Sequence, residues 1–227
     1  MRNRIIAFLA ILFAGVLVSD VYAAKKITIT TVPENAEIRV DGSLVGVGKY
    51  EVKFDRNTDF YLVTVSAPEY CTKRFRLLKN NPKSSVLFVL PEDEAFKASS
   101  GSEDGMELAN AWMDVRCRKG MTEDVIWKRL MSVVTSYFDN VEVRDKAAGW
   151  IKTRWKVSKF TEKTVRTRLE VRMAFTDDDV VSYKARISSE VRDNDDSGEN
   201  SYKTYDRVLR KYEPMIQELQ TVVGGGE

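Results

Sequence analysis

The stretch TVPENAEIRVDGSLVGVGKYEVKF, residues 31–54, crowds Gly42, Gly46 and Gly48 together and follows them with Lys49. Glycines ahead of a lysine could cradle a phosphate. That chemistry needs a glycine, four residues, then Gly-Lys-Ser/Thr, and a helix whose first amides hold the anion. Here Ser43 stands where the first glycine belongs, Tyr50 follows the Gly-Lys pair, and YEVKF alternates as a strand. A dinucleotide fingerprint fails for lack of the following helix. The glycines are therefore expected to supply tight turns with positive φ, and no cofactor is expected.

Other chemistry is sparse. The chain contains no histidine, which removes Ser-His-Asp and Cys-His catalysis, His-ligated zinc and the usual near-neutral proton shuttle. DNDDSG at 193–198 imitates the start of a calcium loop, with Asp193, Asp195, Ser197 and Gly198 suitably spaced. Thr204 stands where the bidentate glutamate is needed, so a solvated acidic turn is the expectation and no metal site is assigned. A pair of carboxylates could hydrolyse a glycan; the candidates are Asp145, Asp177, Asp178 and Asp179, all expected at turns. Exposed turn carboxylates seldom have the environment catalysis needs, so the hydrolase stands as the alternative reading.

The richest pattern is basic. In TVRTRLEVRMAFT, Val165, Leu169, Val171, Met173 and Phe175 alternate with Arg166, Arg168, Glu170 and Arg172. Lys152, Arg154, Lys184 and Arg186 on neighbouring strands share a parity that can set them on the same wet face. Such a face could meet anionic glycans, lipid headgroups or an acidic protein. The plainer alternative is a solvated face paired with Glu170 and other carboxylates. Core or rim packing is the default for Trp112, Trp127, Trp150 and Trp155. Trp127 and Trp155 are the core candidates, and Trp150, beside Gly149, is the candidate ligand-facing ring.

The elements that must position these residues fall into two grammars. Short β-rich runs occupy 27–32, 36–41, 49–54 and 60–66, with TKRFRLL and SSVLFVL after them; Asp41-Gly42 is a hairpin signal. This all-β module ends near Pro91. Residues 92–106 are polar and acidic and read as a linker. From 107 to 223 the order is strand, helix, antiparallel meander, helix. LANAWMDVRCR is a strand. Thr122 is the expected cap of a helix with Val125, Ile126, Leu130, Val133, Val134 and Tyr137 on one stripe. NVEVRD, GWIKTRWKVSKF, TVRTRLEVRMAFT and VVSYKARISSEV are strands. A last helix carries Tyr205, Val208, Leu209, Tyr212, Met215, Ile216 and Leu219, with Pro214 kinking or restarting it. The expected fold is a small all-β sandwich followed by an α+β unit, an antiparallel sheet covered by two helices.

At the N-terminus, MRNR, an apolar run and SDVYA read as a signal peptide over residues 1–23, cleaved after Ala23, with an uncleaved anchor as the alternative. The formal net charge of +2 includes two arginines of that segment, so the mature chain is close to neutral and nucleic acid is not an expected partner. Export to the periplasm or cell surface, with no membrane span left after cleavage, is the expectation. There Cys71 and Cys117 could pair as a disulfide or stay as buried free thiols.

Val32, Pro33, Ala36, Ile38, Val40, Asp41, Gly42, Gly46 and SAPEY at 66–70 agree in order and spacing with the PEGA domain family, which residues 27–91 resemble. Asn35 stands at the eponymous glycine, GVGKY replaces a proline-containing turn, and Glu69 replaces the glycine of a PGY-like segment. The resemblance implies a small β-sandwich of exported proteins, without catalytic residues. The second unit is similar in topology to helix-grip-like modules of envelope lipoproteins, with no motif behind the likeness. Together these readings imply a non-enzymatic envelope protein that binds an envelope protein or an anionic glycan.

Overall fold

The computed structural model describes residues 24–101, 109–174, 181–196 and 198–224. The chain is mostly β, with several antiparallel sheets and a few helices. The expected signal segment lies outside the described residues.

The first half builds two sheets. Strands β1 (Lys26–Val32), β4 (Lys49–Lys53) and β7 (Ser85–Val89) form one, in the order β4-β1-β7, with β1 and β7 parallel. Strands β2 (Glu37–Val40), β3 (Ser43–Val47), β5 (Phe60–Ser66) and β6 (Lys73–Leu78) form the other, in the order β3-β2-β5-β6. Period-two alternation sends Ile27 and Ile29 from the first sheet, and Ile38, Val63, Val65 and Leu77 from the second, into one apolar core. The glycine stretch holds more than turns: residues 43–47 form β3. Asp41 (φ 48°) and Gly42 (φ 84°) make the two-residue turn into it. The Asp41 carboxylate fixes that turn by accepting the Leu62 N–H at 2.9 Å.

Residues 92–101 are not a free linker. Asp93 caps a short helix α1 (Glu94–Lys97) by accepting the Phe96 N–H at 3.0 Å. Strand β8 (Ser99–Ser100) then pairs with β16 (Val208–Leu209). Local polarity was misleading because Ala95 is fully buried in the second core and Ser99 is bonded by Arg207. Residues 102–106 lie outside the described set.

The second half is one seven-stranded antiparallel sheet. Its spine is β13 (Lys163–Ala174) paired with β14 (Ser182–Asp193) over twelve registered residues. Strands β11 (Trp150–Thr153) and β12 (Lys156–Lys159) flank β13, with β10 (Val141–Asp145) beyond β11; β9 (Trp112–Arg116) and β15 (Lys203–Thr204) flank β14. Helices α2 (Glu123–Tyr137) and α3 (Glu213–Val223) share the core with Ile151, Val165, Leu169, Val171, Ala185 and Ile187. No helix of the described residues is long and apolar enough to cross a membrane.

Three sequence expectations change here. Val125 is exposed rather than part of the α2 stripe, and Thr122 sits at the cap without a side-chain bond. The last helix begins at Glu213: its expected first half is β15, β16 and a 3-10 turn. Pro214 occupies the first turn of α3, where its missing N–H leaves no bond unmade. Pairing with Ser99–Ser100 overrides the helical period of Val208 and Leu209.

Gly48 combines a left-handed backbone (φ 70°) with a close approach: a Cβ there would lie 2.2 Å from the Glu34 carbonyl oxygen. Gly48→Ala should lower stability by at least about 2 kcal/mol in urea unfolding. Gly42→Ala, in open space, should cost only the roughly 1–2 kcal/mol of left-handed backbone. Equal midpoints for the two variants would contradict this account.

Candidate functional site: an arginine–aromatic sheet face

Even-numbered positions of β13 and β14 point away from the helices. The register therefore sets Arg166 opposite Glu190, Arg168 opposite Ser188, Glu170 opposite Arg186 and Arg172 opposite Lys184. Beyond these lie Trp150, opposite Arg172, and Trp112, opposite Arg186. The expected basic row is thus brought together for Arg166, Arg168, Arg172, Lys184 and Arg186. Lys152 shares the face, opposite Glu170, and pairs with Glu142 at 3.4 Å.

Arg154 falls outside the row. The run GWIKTRWKVSKF is not one strand, because β11 and β12 meet β13 in registers that differ by one residue: Lys152 pairs Glu170, while Lys156 pairs Thr167. The extra residue is a bulge. Thr153 accepts the Leu169 N–H there at 2.9 Å. Arg154 is exposed in the bulge, with no side-chain ion pair among the described residues. The bulge also re-aims Trp155, which is not in the core but on the wet face.

Aromatic rings and guanidiniums interleave across this surface. Arg166 lies over Trp155 (4.6 Å) and Tyr202 (3.9 Å), Arg168 over Trp155 (4.3 Å), and Arg192 over Tyr202 (5.1 Å). Arg172 lies over Trp150 (5.1 Å) and Trp112 (5.8 Å), and Arg186 over Trp112 (4.5 Å). Each contact is worth roughly 0.5–2 kcal/mol depending on desolvation. Trp127 is the one tryptophan in the core. The contributions of Trp112 and Tyr202 escaped the sequence reading, since only cross-strand register reveals them.

Glu170 organises one end. Its side chain is 5% exposed, and it accepts from Arg172 Nη2 at 2.5 Å and Arg186 Nη2 at 2.8 Å. Trp150 Nε1–H adds a bond at 3.2 Å. Burial pushes the Glu170 carboxyl up, but the hydrogen bonds and charges of Arg186 and Arg172 outweigh it and hold it below the ordinary glutamate value. At the other end Arg166 donates to Glu190 at 2.6 Å and also pairs with Glu199. Arg168 lies between these ends without an acidic partner among the described residues, and its Nε is buried with no hydrogen bond.

The remaining candidates lie apart. Asp145 is exposed, and its carboxylate accepts the Ala148 N–H at 2.9 Å within its own turn. Asp177, Asp178 and Asp179 lie outside the described residues, as does Ser197 of the calcium-like loop. Asp193 and Asp195 line a cleft of about 210 Å³ with Cys71, Lys73 and Glu162; Glu162 is tied to Lys73 at 2.9 Å. No group of three or more acidic or cysteine side chains among the described residues is arranged to hold a metal. The disulfide is not formed: Cys71 and Cys117 are both free and buried. They belong to different surroundings, Cys71 beside Glu92 and Cys117 in the second core. Burial pushes both thiols up to about 11, so neither is a ready nucleophile.

No family model matches the chain, and no curated protein matches it. Among solved structures, that of a Bacteroides fragilis NCTC 9343 protein of unknown function covers 73% of this chain and 96% of its own, at 9% identity and a TM-score of 0.26. A superposition that loose carries no argument about fold or function.

Glu170→Gln leaves two guanidiniums without their counter-charge and should cost about 2–3 kcal/mol at pH 7. A carboxyl held below its ordinary value stabilises the fold fully above that value, 4.5, and loses the effect as pH falls further. The difference in urea midpoint between wild type and variant should therefore be largest near neutrality and shrink below pH 4.5. A difference that does not change with pH would remove the ion pairs as its cause.

Proposed function

We propose that this chain is an exported, non-enzymatic binding protein of the bacterial cell envelope that holds an anionic glycan on the arginine–aromatic face. The observation that carries the reading is the interleaving itself. Four rings and five guanidiniums share one sheet surface, and two of those cations, Arg168 and Arg192, have no carboxylate partner among the described residues. Indole rings stack on the apolar faces of sugars, and guanidiniums take carboxylates in a planar fork.

The two units have different roles on this reading. Two apolar cores with no buried residue in common support a division into a PEGA-like β-sandwich at 24–91 and an α+β unit at 107–223. The signal-like sequence of residues 1–23 supports export. The lack of histidine, the raised thiols and the turn-bound Asp145 carboxylate support binding rather than turnover.

The test is titration of the mature protein with neutral and carboxylated oligosaccharides, followed by analysis of the recovered sugars. Wild type should bind carboxylated members and return them uncleaved. Trp112→Ala combined with Trp150→Ala should abolish that binding while the far-ultraviolet circular dichroism stays unchanged. Cleaved sugars would restore the hydrolase alternative, and undiminished binding by the double variant would move the site elsewhere.

A further inference from the structure

The rungs across β13 and β14 are not equivalent. Arg166 meets Glu190 with Nε to Oε2 at 2.6 Å. Two rungs on, Glu170 meets Arg186 at 2.8 Å. The rung between them sets Arg168 against Ser188. Its guanidinium lies over Trp155 at 4.3 Å and has no carboxylate among the described residues. Its Nε is buried and unbonded, as are those of Arg186 and Arg192, but Arg186 is paired through Nη2 with Glu170 and Arg192 donates through Nη1 to the Asp196 carbonyl. Each flanking rung pairs its guanidinium with one carboxylate, and this rung does not.

Building on the face-binding reading above, we propose that the Arg168–Ser188 rung is a carboxylate subsite that accepts one isolated uronate of an otherwise neutral glycan. The isolation follows from the neighbours. Alternate residues along a strand are about 6.6–6.8 Å apart, so Glu190 and Glu170 stand one rung to either side of the incoming carboxylate. A polyanion laid along the strands brings its next carboxylate to a rung whose arginine is already paired with a glutamate. Like charges at that spacing repel most where water is excluded. A single acidic sugar avoids this, and its neutral neighbours can lie over Trp155 on one side and toward Trp112 and Trp150 on the other. An acidic peptide segment suffers the same repulsion as a polyuronate.

The experiment titrates wild type, Arg168→Gln and Ser188→Glu with four probes: a trisaccharide of one glucuronate and two neutral sugars, its carboxyl-reduced counterpart, trigalacturonate and hexaglutamate. Ser188→Glu keeps Arg168 and supplies the missing carboxylate from within, so it should fold at least as well as wild type. Wild type should prefer the mono-uronate trisaccharide, with the reduced counterpart at least about tenfold weaker and trigalacturonate weaker still. Both variants should lose about tenfold for the mono-uronate and little for the reduced sugar. Should Ser188→Glu bind the mono-uronate as wild type does while Trp112→Ala with Trp150→Ala does not, the rung is wrong and the glycan-binding face stands. Tightest binding of hexaglutamate would overturn the proposal in favour of an acidic protein partner. Failure of every saccharide to bind would overturn both.

Discussion

The register of β13 against β14 is the constraint on which the rest of the second half depends. Twelve consecutive pairs are fixed, and side chains alternate along both strands. A slip by one residue would turn the whole arginine row toward the helices. The core decides against that slip. Leu169, Val171, Ala185 and Ile187 are fully buried beneath α2 and α3, and burial of each large aliphatic side chain is worth about 1.5–3 kcal/mol. The contacts on the opposite face are individually smaller, about 0.5–2 kcal/mol for an arginine over an indole. The candidate surface is thus the reverse side of a packing solution, and its geometry is inherited from residues buried on the opposite face.

One irregularity shapes that surface. Without the extra residue between Lys152 and Lys156, strands β11 and β12 would run as one and keep a single alternation. The bulge shifts that alternation and delivers Trp155 to Arg166 and Arg168. Bulges often re-aim a side chain next to a functional site. The same displacement leaves Arg154 outside the row. A local defect in pairing therefore exchanges a cation for a ring, which is how the face comes to interleave the two chemistries instead of presenting charge alone.

Alternation was legible wherever one side of a strand is apolar, so β1, β2, β5, β13 and β14 stood out in the sequence. The wet parity of Arg166, Arg168 and Arg172 followed from it. Strand β3 was hidden because Gly46 and two turn glycines mask its pattern. Val208 and Leu209 kept a helical period yet pair as a strand with Ser99–Ser100, since a distant partner supplies bonds that local spacing cannot show. Trp112 and Tyr202 reach the site only through register and loop geometry, and no spacing along the chain encodes either. Arg168 illustrates the limit best: its place in the row is readable from alternation, but the serine opposite it is known only once the strands are paired.

The sheets of the first half contact one end of this sheet, and that placement bears on access. Asp93 is buried at the junction and accepts from both Phe96 N–H and Lys163 Nζ, the latter at 2.5 Å. Burial alone would push Lys163 down; the bond and charge of Asp93 hold it above the ordinary lysine value. Glu94 accepts from Thr161, and Lys73 of β6 pairs with Glu162. All of these contacts gather at the turn that starts β13, next to the end of β14. Arg192, opposite Thr164, is the face arginine nearest that turn and donates to the Asp196 carbonyl; Arg166, held by Glu190 and Glu199, comes next. Arg172 and Trp112 lie at the far end of the ladder. The attachment therefore meets the end of the face that carries Arg192 and the Arg166–Glu190 pair, and the Arg168–Ser188 rung lies beyond it, toward Trp112 and Trp150.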